Sequence, residues 1–263
     1  MRWEDLTTSS FEEAVELCGG VCVLPIGVLE AHGPHLPVGT DATIAHRLAC
    51  TAAEMEPALV FPSYPWGLNV EAKAWPGSIV LGSQLVLDLL TDVCTEISRN
   101  GCKKIILFSG HGGNRFLLSF FVQSQLDQGV DYIPYLVIGD GLGRDDFFYT
   151  LFADGASGHA GECETSLMMY LAPQCTHPEW IPERPAIRSQ RLDHLTEDLY
   201  TPIDWYGRYA DHYKGDARSA SAEKGKAWFA HRAARLALII SAVKDDRAAP
   251  EVYREYVERT YRR

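Results

Sequence analysis

A chain of 263 residues, 46% hydrophobic and 22% charged, can bury a sizeable core unaided, and with no linker-like stretch it is expected to form one domain over 1–263. Its formal net charge of -11 works against nucleic acid as a partner, because binding a polyanion needs a basic face that displaces counterions. Seven cysteines, odd in number and without CxxC spacing, exclude a disulfide framework or a thiolate zinc site and fit reduced thiols in a cytoplasm.

The first residues, MRWEDLTTSSFEEAVEL, carry acids early and lack an apolar h-region, so no secretory signal is expected. A short helix near Phe11 to Leu17 and a Gly19-Gly20 break precede an apolar run from Val21 to Leu29. That run has no polar alternation, which predicts a strand covered on both faces, as in a parallel sheet flanked by helices. It stops at Glu30, and LPIGVLEAHGPHLPVGTD then places Glu30, His32 and Asp41 among prolines and glycines. Two positions apart in an extended chain, Glu30 and His32 point to the same side, at the strand end where α/β sheets collect ligands. The pair suggests a cation; a solvated loop is the plain alternative. Asp41 keeps two roles open, metal ligand or N-cap of a helix from Thr43 to Met55.

A second strand is expected over Ala58 to Phe61. It leads into PSYPWGLN and AWPGSIVL, which shape a pocket or simply cross the surface. From Gln84 to Arg99 the apolar positions fall at helical spacing, and Asn100-Gly101 closes that helix. Lys103 to Phe108 predicts another buried strand, followed by SGHGGN, so a second strand end carries an imidazole, His111, before a helix beginning near Asn114. Gly110, Gly112 and Gly113 permit tight turning there and close approach of backbone to a ligand.

A strand over Tyr132 to Ile138 ends in GDGLGR, whose Gly139, Gly141 and Gly143 fail the GxGxxG dinucleotide fingerprint and argue against NAD or FAD. In GHAGECETSLMMYLAP a helix starting near Gly161 puts Glu164, Leu167, Met168 and Leu171 on one stripe, while Glu162 sits with Thr165 and Ser166. An unpaired carboxylate on a core-facing stripe is costly, which favours Glu164 over Glu162 as a ligand. His159 just before the helix is an acid, base or oxyanion stabiliser, or else a helix-terminus histidine bonded to backbone.

From 174 to 225 the chain is polar and aperiodic and is expected to run over the surface as a lid, a subunit contact or a mobile loop. His177, His194, His212 and His231 have no ligand-like neighbours and are expected as surface histidines. Helices over Ala222 to Val243 and Val252 to Arg262 close the chain. The apolar LALIISAV within the first is too short to cross a bilayer, so no membrane span is expected. Gly155-Ala156-Ser157-Gly158 misses a GxSxG nucleophile elbow because position 159 is histidine. A thiol pair of Cys163 with His159 competes with a plain small buried cysteine.

LPIGVLEAHGPHLPVGTD, AWPGSI, FSGHGGN, GHAGECETS and KGDARSASAEKG, in that order and spanning most of the chain, resemble the creatininase (creatinine amidohydrolase) family. The resemblance implies a three-layer α/β/α sandwich with a mainly parallel sheet. It also implies a divalent-metal hydrolase of C–N bonds in small amides, assembled as a homo-oligomer, often a hexamer. Members include creatininase, a formamide-cleaving enzyme and a peptidase. Carried over, the family pattern implies Glu30, Asp41 and His111 around one ion, and His32 at a second ion with Asp41 shared between them. Where creatininase carries a further carboxylate this chain has Gly113, and Glu164 is the expected replacement. The glycines at 112 and 113 also lack the aromatic and acidic side chains the family sets beside creatinine, which counts against creatinine as substrate.

Carboxylate and imidazole ligands suit zinc, manganese or iron. The expected chemistry is attack by metal-activated water on a small amide, with His159 as acid or oxyanion stabiliser. A peptidase of the same family and a non-catalytic metal-binding scaffold are the alternatives.

Overall fold

The computed structural model describes residues 1–138, 142, 144–196 and 198–261. The apolar runs become parallel strands β1 (Val21–Ile26), β2 (Leu59–Val60), β3 (Lys104–Ser109) and β4 (Ile133–Ile138), hydrogen-bonded in the order β2-β1-β3-β4. Val21 pairs with Lys104 and Ile26 with Ser109, so β1 and β3 end level.

Alternate residues of these strands feed two separate cores, as the period of two requires. Val21, Val23, Ile106 and Phe108 face α2 (Thr40–Met55), α6 (Glu162–Leu171) and α8 (Ala222–Asp245). Cys22, Leu24, Ile26, Ile105 and Leu107 face α1 (Thr8–Leu17), α3 (Ser83–Arg99) and α4 (Asn114–Gln128). The result is a three-layer α/β/α sandwich around a parallel sheet. Short helices α5 (Asp146–Leu151) and α7 (Asp204–Arg208) and a closing α9 (Ala248–Tyr261) complete it.

The chain leaves β1 toward β2 on one side, then crosses back to lay β3 on the other side of β1. A crevice therefore opens between the carboxyl ends of β1 and β3, the switch point where ligands bind in such sheets. Two glycines let the first turn of α2 drop into it. A Cβ on Gly27 would lie 2.4 Å from the Ala42 Cα and backbone N, and one on Gly110 would lie 2.7 Å from the Asp41 carbonyl oxygen. The close approach at Gly27 also ends β1 at Ile26, short of the expected Leu29, as the Gly27 N–H turns to the Tyr64 carbonyl.

Neither α5 nor α7 has enough length to show a helical period, so neither was expected. The residues 174–225 are not a free surface run. Lys214 N–H donates to the His159 carbonyl, Asp216 N–H to that of Ala156 and Ser221 N–H to the Ser166 hydroxyl, which fastens the segment over the crevice. Among the described residues no helix is long and apolar enough to cross a membrane; LALIISAV lies inside α8, with Leu236, Ile240 and Val243 in the core. All seven cysteines are free thiols. The loop glycines Gly139, Gly141 and Gly143 and the terminal Arg262 lie outside the described residues.

Candidate metal centre

The carboxyl ends of β1 and β3 and the start of α2 deliver Glu30, His32, Asp41 and His111 to one buried point. Gly39, not Thr40 or Asp41, is the N-cap of α2 and makes no side-chain cap. Asp41, one turn in and 2% exposed, is thereby free of capping, and its two oxygens part company. Oδ1 lies 3.1 Å from His32 Nε2, and Oδ2 lies 2.9 Å from His111 Nδ1. Glu30 Oε1 stands 3.1 Å from His111 Nδ1 and 3.9 Å from His32 Nε2.

These separations are short, yet both Glu30 oxygens and Asp41 Oδ2 are buried with no aligned hydrogen-bond donor among the described residues. Buried carboxylate oxygens left this way are costly. Atoms that bind a common ion at about 2.0–2.2 Å sit roughly 3–3.5 Å apart, and the separations around His111 Nδ1 fall in that range. His32 Nδ1 lies 3.1 Å from the Glu30 carbonyl oxygen, and donation there leaves the Nε2 lone pair facing the cluster.

Electrostatics describe the same demand for positive charge. Burial opposes ionisation of Glu30, but His111 overrides it and holds the carboxyl well below the usual range. Burial lowers the His32 pKa and Asp41 raises it more, leaving it at about 10. His111 is likewise driven well above its ordinary value, against burial, by Glu30 and Asp41. Protons on these two imidazoles balance carboxylates that a dication would balance instead.

Glu164, on the first turn of α6, brings Oε2 to 3.9 Å from His32 Nε2 and accepts the Ala160 N–H. Burial and Asp41 push its pKa up to about 7 while His32 pulls it down. The inward face of α6 differs from the stripe expected. Glu162, Thr165, Ser166, Leu167 and Met168 are the buried positions, and Glu164 opens toward the pocket with its side chain 27% exposed. Glu162, fully buried, has a cation of its own in Lys224. Among the described residues three groups have metal-holding spacing: His32, Asp41 and Glu164; Glu30, Glu71 and His111; and Glu30, His32 and His159.

Glu71 was not expected. It sits in a 3-10 turn over Val70–Ala74, in the loop after β2, and its Oε1 is 3.4 Å from His111 Nε2. It lies 2.7 Å from where a Cβ on Gly113 would be, so a carboxylate fills the space beside Gly113 after all. Only its place in a loop beyond a strand's carboxyl end could have signalled it.

His159 is 3.6 Å from Glu30 Oε1 through Nδ1, while its Nε2 is 2.7 Å from the Ala31 carbonyl oxygen. Burial and His32 lower its pKa to about 3. The neutral ring thus donates from Nε2 and keeps a lone pair on Nδ1, facing the cluster.

His212, expected on the surface, is 2% exposed and reaches 3.5 Å from Glu30 Oε2. No local spacing marks it; the fastened 174–225 segment carries it in. His194 is exposed, His177 is half-buried beside Glu179, and His231 is half-buried and bonded to Asp145. Ser157 Oγ has no hydrogen-bond partner among the described residues, so it forms no nucleophile pair with them, and Cys163 packs against the apolar core.

The cluster floors a pocket of about 520 Å³ walled by Phe116, Phe148, Tyr200, Trp205 and Trp228. A larger hollow of about 850 Å³ near Pro34, Pro182 and Pro185 contains none of the clustered side chains.

The family model described as creatinine amidohydrolase matches residues 4–240. Creatinine amidohydrolase of Pseudomonas putida is 27% identical over 241 residues, 84% of this chain and 89% of that one. A 3-dehydro-scyllo-inosose hydrolase of Thermotoga maritima is 26% identical over 251 residues, 85% of this chain and 77% of that one. A crystal structure of creatininase superposes with a TM-score of 0.79 at 23% identity, covering 93% of this chain and 98% of its own. A glutamate-to-glutamine creatininase variant of Zn–Zn type and a manganese creatininase match at 0.79 and 0.78, each 23% identical over 93% of this chain, with 98% and 99% of their own lengths covered. With the parallel sandwich, the rim cluster and a family match over nearly its whole length, the chain belongs to the creatininase family.

Proposed function

We propose that this chain is a divalent-metal-dependent hydrolase of the C–N bond in a small amide, with Glu30, Asp41 and His111 holding one ion, and His32, Glu164 and the shared Asp41 a second. One observation carries the reading: Glu30 Oε1 and Asp41 Oδ2 lie 3.1 and 2.9 Å from His111 Nδ1, yet both oxygens are buried without an aligned hydrogen-bond partner among the described residues. Carboxylate and imidazole donors suit zinc, manganese or iron, and relatives of this fold are described in Zn–Zn and manganese forms. Bound there, such ions acidify water and polarise a carbonyl oxygen.

The chain's own residues do the rest. The Ala31 carbonyl pins the His159 ring, so its Nδ1 lone pair is available to take a proton from the attacking water. The resulting imidazolium returns that proton to the departing nitrogen and, while charged, stabilises the tetrahedral oxyanion. Such proton transfer contributes roughly 10²- to 10⁴-fold. The aromatic pocket walls exclude bulk water around the reacting group. A Cβ on Gly112 would meet no atom within 4 Å, so no neighbour fills the place of the side chain the family sets beside creatinine, which counts against creatinine as the substrate. Free thiols throughout suit the reducing cytoplasm.

Elemental analysis of the purified protein, with turnover on formamides, cyclic amides and short peptides, tests the reading. Alanine at Glu30, Asp41 or His111 is expected to strip bound metal and lower turnover by more than about 10²-fold, because even supporting residues at metal sites cost 10–100-fold. Full turnover by metal-free protein would end it.

A further inference from the structure

His212 comes near enough to the cluster to be mistaken for a ligand. Its backbone has φ of 53°, a left-handed conformation that a residue other than glycine adopts at a cost and that tends to mark functional positions. The strained turn puts Nδ1 2.9 Å from the indole nitrogen of Trp205 and Nε2 3.5 Å from Glu30 Oε2.

An indole N–H only donates, so His212 Nδ1 must accept. A neutral imidazole that spends its one lone pair there carries its proton on Nε2 and has no lone pair left for an ion. His212 Nε2 and Glu30 Oε2 are both buried, lie 3.5 Å apart and have no aligned hydrogen-bond partner among the described residues, so closing that short gap would satisfy both at once. The two oxygens of Glu30 are thus divided: Oε1 lies near His111, His32 and His159, and Oε2 near His212.

We propose that His212 is a positioning residue: Trp205 fixes it as the Nε2–H tautomer, and that N–H holds Glu30 Oε2 so that Oε1 is turned to the ion. This rests on the metal reading above. It makes the 174–225 segment part of the centre, since Trp205 and His212 both belong to it and neither is near Glu30 in sequence.

Two measurements on the whole protein test the relay. Long-range ¹H–¹⁵N correlation spectra of metal-free protein should show His212 protonated on Nε2, and Trp205→Phe should mix the tautomers. Zinc competition against a chelator should show His212→Ala weakening affinity about 10–100-fold with the zinc-to-protein ratio unchanged. His212→Gln, which returns an N–H donor at a similar reach, should recover most of the loss, whereas a purely structural role would leave it as damaged as alanine.

An Nδ1–H tautomer in the native protein, a lower zinc ratio in His212→Ala, or unaltered affinity in both His212→Ala and Trp205→Phe would each overturn the assignment. Failure of the native protein to bind zinc, manganese or iron would instead overturn the metal reading, and the tautomer spectrum separates the two because it needs no ion.

Discussion

Glu71 and Glu164 reach the cluster from opposite sides, and each stands by one imidazole. At His111 the division of labour resembles a carboxylate–histidine–metal triad: Nδ1 faces Glu30 and Asp41, and Nε2 faces Glu71. Removing the carboxylate in Glu71→Ala is expected to weaken metal affinity about 10–100-fold, measured by chelator competition. The imidazole protons add a pH signature. His32 is raised to about 10 and His111 also lies well above its ordinary value, so in metal-free protein both imidazoles hold their protons beyond the usual histidine range. A ligating imidazole must be neutral, so filling both positions should release about two protons, and apparent affinity should rise with pH toward about 10. Calorimetric titration in two buffers of different ionisation enthalpy measures that release; none would contradict His32 and His111 as ligands. For the metal-free fold the sign is opposite: His32 contributes stability below about 6.5 that is lost as pH climbs through 10. Of the clustered side chains, Glu30, His32, Asp41 and His111 could be picked out because each follows an apolar run or opens a helix. Glu71 and His212 could not, since nothing near them in sequence distinguishes them from other loop residues.

At the level of elements, the centre depends on how closely α2 can approach the sheet. Gly27 and Gly110 give the first turn of α2 its seat, and Asp41 lies in that turn. Gly27→Ala places a methyl 2.4 Å from the Ala42 backbone, so the helix must move. The expected cost is about 1–3 kcal/mol by denaturant unfolding, the range for overpacking, together with lower metal content because Asp41 shifts. An alanine variant with native stability and native metal content would show that α2 has slack. The strands and long helices were legible because a parallel sheet writes continuous apolar runs, and α3 writes a clear helical period. The N-cap of α2 was not, because Thr40 and Asp41 are both good capping residues, yet tertiary contacts claim Asp41 and leave Gly39 at the boundary. The face of α6 was misjudged for a related reason. Pairing with Lys224 allows Glu162 to be fully buried, and that partner lies sixty-two positions away.

On the scale of the whole molecule, four layers of connection meet at one rim: two strand ends, two helix starts, the loop after β2 and the fastened 174–225 segment. We propose that residues 1–263 unfold as one unit stabilised by the ions. Stripping metal with a chelator is expected to lower the midpoint of a single thermal transition by roughly 5–10 °C, as occupancy at about a hundred times Kd adds about 2.7 kcal/mol. Two separate transitions would contradict the single unit, and an unmoved midpoint the metal. By itself the sequence determined the layered α/β class, the two strand ends that carry Glu30, His32 and His111, and the family, because apolar runs and contiguous motifs are local properties of a chain. Only the tertiary structure decided that Glu71 and His212 join the cluster, that Glu162 belongs to Lys224, and that Asp41 bridges two imidazoles rather than capping a helix. Those are choices between partners far apart in the chain, settled by which close approaches the glycines allow and which buried charges must find a counter-charge.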